Sequence, residues 1–131
     1  MVGVGINPDK QTYFSLEERV DLVKGVIEPF PNVEVREFRD LAVQFVSRLG
    51  ARVMLRGLRT TSDMENEFNM SLMNRNLDAE IETVFLMASE VYSHVSSTLL
   101  RQIASFGGNL DKFLPRDVKE ALERKVRERE Q

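Results

Sequence analysis

Apolar positions along this chain follow two spacings. In MVGVGI, NVEVREF, ARVMLRGL and IETVFLM they alternate or run together, as strands require, and between these stretches they return every three or four residues, as on one helix face. Val2, Val4 and Ile6, closed by Asn7-Pro8, predict a short buried strand ending in a turn. In FSLEERVDLVKGVIEPF, Leu16, Val20, Val23, Ile27 and Phe30 form one apolar face, and Ser15 with Glu18 forms a capping box at its start. DLAVQFVSRLG predicts a second amphipathic helix stopped by Gly50, and the nearly continuous apolar run of ARVMLRGL predicts a strand covered on both faces. Ser62 and Glu65 read as another capping box, opening the helix SDMENEFNMSLMNRNL. SSTLLRQIASFGG is a helix ended by Gly107-Gly108, and Pro115 suits the first turn of a last helix, PRDVKEALERKVREREQ. The predicted order is β-α-β-α-β-α-β-α-α.

Strands alternating with helices of this length pair in parallel through right-handed crossovers, so the expected fold is α/β, a doubly wound parallel sheet in a single domain over residues 1–131. Ligands of such sheets bind beyond the carboxyl ends of the strands. A net charge of −3 argues against a general nucleic-acid or anionic-membrane surface. With no cysteine there is no disulfide frame or thiolate chemistry, and no apolar run is long enough to span a bilayer. The expectation is a cytoplasmic protein that binds neither nucleic acid nor membrane.

Against that acidic background, cations gather at the strand ends. Lys10 follows the first strand, Arg56 and Arg59 flank the end of the third in LRGLRTTSD, and YSHVSST follows the fourth. Gly57 lets backbone come close to a ligand, and the helix after Arg59 points its first N–H groups the same way. Asp63, Glu67 and Asn74 share one stripe of that helix. Such carboxylates bind a ribose, position a metal, or pair with Arg59, and pairing is the default reading. Ser96 and Ser97 read as N-caps, and a helix start rich in hydroxyls equally seats a phosphate. Met64, Met70 and Met73 are expected to fill gaps in the core, and the tail ERKVREREQ to be a solvated, fraying helix end.

INPDK, FSLEERVDLV, LRGLRTTSDMENEFNMSLMNRNL, ETVFLMASEVYSHVSSTLLRQIA, GGNLDKFLP and VKEAL, in this order and spacing, resemble the bacterial phosphopantetheine adenylyltransferases over essentially the whole chain. The resemblance implies a Rossmann-like nucleotidyltransferase fold and transfer of the adenylyl group of ATP to 4'-phosphopantetheine, giving dephospho-coenzyme A and pyrophosphate with magnesium. Lys10 and Arg56 match residues holding the phosphate of phosphopantetheine. Gly57, Leu58, Arg59 and Glu67 match nucleotide contacts, and Tyr92, Ser93, His94, Val95, Ser96, Ser97 and Thr98 match the stretch that wraps the ATP phosphates. Asp40, Leu41 and Ala42 match the segment along the pantetheine arm, with Met73 and Asn74 flanking it. Members of the family are hexamers, which implies a homo-oligomer.

Some positions depart from the family. Gln11 stands where a second lysine is common, Met64 and Asn66 replace aromatics, His94 and Thr98 stand for Phe and Ser, and Gln102 replaces Glu. His94, the only histidine, falls outside the family's catalytic position and is expected to be a loop packing residue. The resemblance also implies a strand, a Gly-x-Phe-Asp-Pro turn and a histidine-bearing helix start ahead of MVGVGI, so no residue here matches the catalytic histidine. In the family order 3-2-1-4-5 that strand is central, between MVGVGI and ARVMLRGL. The expectation is a truncated domain with weak adenylyltransfer, whose two neighbouring strands close up to pair directly or borrow a strand. The alternatives are an impaired nucleotide-binding homologue and another nucleotidyltransferase of the superfamily.

Overall fold

A computed structural model describes residues 1–8 and 11–130. The elements are β1 (Val2–Gly5), α1 (Leu16–Ile27), β2 (Val35–Phe38), α2 (Ala42–Arg48), β3 (Val53–Leu58), α3 (Thr61–Leu77), β4 (Glu82–Met87), α4 (Glu90–Ser93), α5 (Ser97–Ser105) and α6 (Arg116–Glu130). Every predicted strand and helix is present, and the single turn α4 is additional. The alternating order and parallel pairing are those of a Rossmann-like α/β fold.

The strands form two ladders, β1 with β2 and β3 with β4, each parallel. Both are neighbouring pairs of the expected order. The chain divides into two compact units, residues 1–39 with 95–131, and residues 40–94.

In the first unit, Val4 of β1 packs against Leu16 and Val20 of α1, with Val23 and Val35 alongside. The Ser15 hydroxyl accepts from the Glu18 amide at 3.1 Å while the Ser15 amide donates to the Glu18 carboxylate at 2.7 Å, the reciprocal capping expected. Two members of the expected apolar sets are solvated: Ile6 lies beyond the ladder, and Phe30 lies past the end of α1. A second core forms around Leu110, where Leu122 and Val126 of α6 meet Leu100 and Ile103 of α5. The tail is therefore packed further than a fraying end would be, since Val126 is buried, Lys125 pairs with Glu18 at 2.7 Å, and the Arg129 guanidinium lies 4.0 Å from the Tyr13 ring centre.

That Lys125 contact, then the Ser15 amide, holds the Glu18 carboxyl below its ordinary range, and Glu18 in turn raises Lys125. A depressed carboxyl adds stability above its unfolded-chain value, and that stability is lost as pH falls through the lowered folded value. The Lys125 contribution is complete below the lysine's unfolded value and disappears as pH rises through the raised one. Glu18→Gln, which preserves the cap, is expected to flatten the acid limb of the stability–pH curve measured by urea unfolding. An unchanged acid limb would show that the pair carries no linkage.

In the second unit Val43 and Val46 of α2 enclose Ile81 and Met54. Register puts Val53, Leu55 and Gly57 beside Glu82, Val84 and Leu86, and this face of the ladder is uncovered, with Val53 58 % and Leu55 61 % exposed. The expectation that both faces of this strand are covered is thus corrected: α3 packs against β3 and β4 on the side of Met54 and Leu58, and nothing among the described residues covers the other. Met64, Met70 and Met73 are exposed as well, contrary to the core role expected. At about 100° per residue Met70 and Met73 lie about 60° apart but Met64 lies about 120° and 180° from them, so no single narrow face gathers all three.

The N-cap expected at Ser62 is two residues out. Thr60 is the N-cap, its hydroxyl accepting from the Asp63 amide at 3.1 Å, and Ser62 lies inside the helix. Gly50 and Gly107 end α2 and α5 with φ of 67° and 68°, the left-handed geometry that favours glycine.

Candidate functional site

In residues 40–94 the predicted site residues stand where β3 gives way to α3. Side chains at Met54, Arg56 and Leu58 share the face turned toward α3, so Arg56 reaches Glu67 with two hydrogen bonds of 2.7 Å each, a planar guanidinium fork on a carboxylate. This contact raises the Arg56 pKa further. One residue beyond the strand, Arg59 holds Asp63 at 3.0 Å, one helical turn along. The pairing expected of these carboxylates is therefore present twice, with Glu67 taken by Arg56 rather than Arg59. Leu58 is buried and anchors the strand end between the two arginines.

Gly57 lies on the uncovered face, where an added Cβ would meet nothing within 4 Å. No packing among the described residues calls for a glycine there. Asn74, one of the stripe with Asp63 and Glu67, is the buried polar side chain of α3.

Asp40 and Leu41 line a cavity of about 550 Å³ together with Val43, Gln44, Ser47, Arg48, Leu77 and Asp78. Arg48 binds the Asp40 carboxylate through both guanidinium nitrogens, which lowers the Asp40 pKa. Ala42, Met73 and Asn74 are not part of this lining, so the predicted pantetheine-arm segment is only partly gathered around it.

The stretch from Tyr92 to Thr98 is not one loop. Tyr92 and Ser93 belong to α4, where the Ser93 hydroxyl donates to the Glu90 carbonyl at 3.0 Å. His94 is the C-cap, its amide donating to the Tyr92 carbonyl, and its exposed side chain corrects the expectation of a packed loop residue. In the other unit, Val95 leads into Ser96, the N-cap of α5, whose hydroxyl accepts from the Leu99 amide at 3.1 Å. Ser97 and Thr98 form the first helical turn.

Lys10 lies outside the described residues. A second cavity of about 550 Å³ follows β1, lined by Asn7, Thr12, Ser15, Glu17, Arg19 and Arg39 among others. The Nε of Arg19 is buried there with no hydrogen-bond partner among the described residues. Sequence reading missed Arg19 and Arg39, and the signal available was their place just after a strand end and in the first turns of the helix that follows. It also missed Arg101, whose spacing of three and four residues from Thr98 and Ser97 aims it back at the start of its own helix.

A match to the cytidylyltransferase-like family covers residues 1–103. The chain therefore belongs to that class of nucleotidyltransferases. It is 51 % identical over 129 residues to the phosphopantetheine adenylyltransferase of Rhodopirellula baltica, spanning 96 % of this chain and 72 % of that protein. The Hahella chejuensis protein of the same name is 46 % identical over 123 residues, 94 % of this chain and 76 % of its own length, and that of Clostridium perfringens 44 % over 126 residues, 96 % and 77 %. Within its class the chain belongs to the phosphopantetheine adenylyltransferases.

Proposed function

We propose that this chain is a single adenylyltransferase domain that transfers the adenylyl group of ATP to 4'-phosphopantetheine, giving dephospho-coenzyme A and pyrophosphate. A phosphate oxygen of phosphopantetheine attacks the α-phosphorus of ATP in line, the new P–O bond forms as the bond to the pyrophosphate oxygen breaks, and no covalent enzyme intermediate is needed. The work of the protein is positioning and charge stabilisation.

The observation that carries this reading is the Arg56–Glu67 pair. Glu67 offers the guanidinium fork two oxygens, the same bidentate geometry a phosphate offers. The arriving phosphopantetheine phosphate takes over Arg56, and Glu67 turns to the nucleotide. Lys10 shares the attacking phosphate, and Arg59 with the backbone of Gly57 and Leu58 holds ATP, for which Gly57 leaves the open side it needs. Ser96, Ser97 and Thr98 present the amide dipoles of the α5 start to the phosphates, and Tyr92, Ser93, His94 and Val95 precede them. Ala42 and its neighbours follow the pantetheine arm. Magnesium enters this reading with the nucleotide phosphates, as part of the substrate.

The reading also takes the chain to act in the cytoplasm, in keeping with a sequence free of cysteine, and as a homo-oligomer of the hexameric kind. No helix among the described residues is long and apolar enough to cross a membrane.

Backbone NMR with a non-hydrolysable ATP analogue tests the proposal. Shifts are expected at Arg59, Glu67 and the Tyr92 to Thr98 stretch, with further shifts at Arg56 when phosphopantetheine is added. Saturating analogue that leaves all three nucleotide segments unmoved would overturn it.

A further inference from the structure

Arg101 occupies a place that neither of the assigned substrate segments explains. It sits in the second turn of α5, with Nε donating to the Ser97 carbonyl at 3.2 Å and Nη2 donating to the Thr98 hydroxyl at 3.3 Å. Its third donor, Nη1, reaches across ninety residues of sequence to the Gln11 carbonyl at 3.4 Å. The guanidinium plane also lies 5.0 Å from the centre of the Tyr13 ring, which Arg129 of α6 approaches at 4.0 Å. Each hydrogen bond is long, but a planar fork engages several partners at once with little rotamer freedom left to lose. All of these groups belong to one compact unit.

We infer that Arg101 is a positioning residue that ties the segment following Lys10 to the first turn of α5, so that the seat for the attacking phosphate and the seat for the ATP phosphates are ordered together. The inference rests on the assignment of Lys10 to phosphopantetheine and of Ser96 to Thr98 to ATP, and adds a coupling between them. Arg101 is given its role through these segments, not through a substrate contact. Its backbone partners are Gln11, next to Lys10, and Ser97, next to the α5 N-cap, and its side-chain partner Thr98 belongs to the phosphate-binding turn itself. Whatever fixes one segment fixes the other through a single rigid group. An energetic link of this kind is reciprocal, so each substrate raises the affinity for the other by the same factor.

The fork is also why lysine is an imperfect substitute. A single ammonium retains the cation over Tyr13 but cannot span the Ser97, Thr98 and Gln11 oxygens together.

Two measurements on the intact chain decide the matter. The first is amide hydrogen exchange without ligand: Arg101→Met is expected to speed exchange of residues 11–14 while the middle of α5 and the Leu110 core keep their protection. Tyr13→Leu, which removes the face under the guanidinium, is expected to act in the same direction. The second is calorimetric titration of 4'-phosphopantetheine with and without a non-hydrolysable ATP analogue. The parent is expected to show mutual enhancement of about tenfold, lost in Arg101→Met and partly restored in Arg101→Lys. Unchanged protection of residues 11–14 in both variants overturns the tether, whatever the titrations show. Faster exchange with the mutual enhancement intact makes Arg101 structural only, and overturns its role between substrates. A parent chain that binds neither substrate refutes the functional assignment itself, and with it the coupling, while the exchange result still reports on the tether.

Discussion

Arg56→Ala is expected to weaken 4'-phosphopantetheine binding by about 1.5–3 kcal/mol, the usual worth of a hydrogen bond to a charged group. ATP binding changes less. The direction follows from geometry, because the guanidinium already delivers two parallel bonds of 2.7 Å to an oxyanion pair on Glu67 and needs no rearrangement of its own to deliver them to a phosphate. Truncation has a second effect: the Glu67 carboxylate loses that partner and then repels an incoming dianion. The double variant Arg56→Ala with Glu67→Gln therefore recovers part of the lost phosphopantetheine affinity. Titration calorimetry of the parent and both variants with each substrate measures this. Equal losses for ATP and phosphopantetheine would mean that the arginine only holds β3 to α3.

The largest effect on stability is expected from Leu110→Ala. Leu110 has no exposed surface, and it joins Leu122 and Val126 of α6 to α5 and the turn after it. Removing a methine and two methyl carbons from such a site costs about 2–5 kcal/mol, according to how far the walls close in. A domain holds only about 5–15 kcal/mol in total, so α6 should lose its footing early in a urea titration followed by circular dichroism. A loss below about 1 kcal/mol would show that this core is plastic.

How much of this was visible beforehand depends on the distance over which each feature is determined. The cap at Ser15 is complete within four residues, and reading Ser15 and Glu18 together was enough. The start of α3 was misplaced because Thr60, Thr61, Ser62 and Asp63 all suit an N-terminus, and the choice falls to the end of the β3–β4 ladder at Leu58 and Met87. The Arg59–Asp63 pair was accessible from its spacing of four. The Arg56–Glu67 pair spans eleven residues and exists only once a helix lies on the strand it follows, so spacing could not show it. The same holds for Arg101 and Gln11. Burial was the least legible property. ARVMLRGL reads as a strand covered twice over, yet whether Val53 and Leu55 are covered depends on neighbours, not on the run itself.

The uncovered face of the β3–β4 ladder has a calorimetric consequence. The heat capacity of unfolding grows with the apolar area that water newly reaches, about 12–15 cal/mol/K per residue in ordinary domains. Val53, Leu55, Val84 and Leu86 are already wetted in the folded chain, so unfolding adds little there. The curve of free energy against temperature is correspondingly shallow, and this half of the protein loses its margin more gradually on both the cold and the warm side of its optimum than a fully covered sheet would.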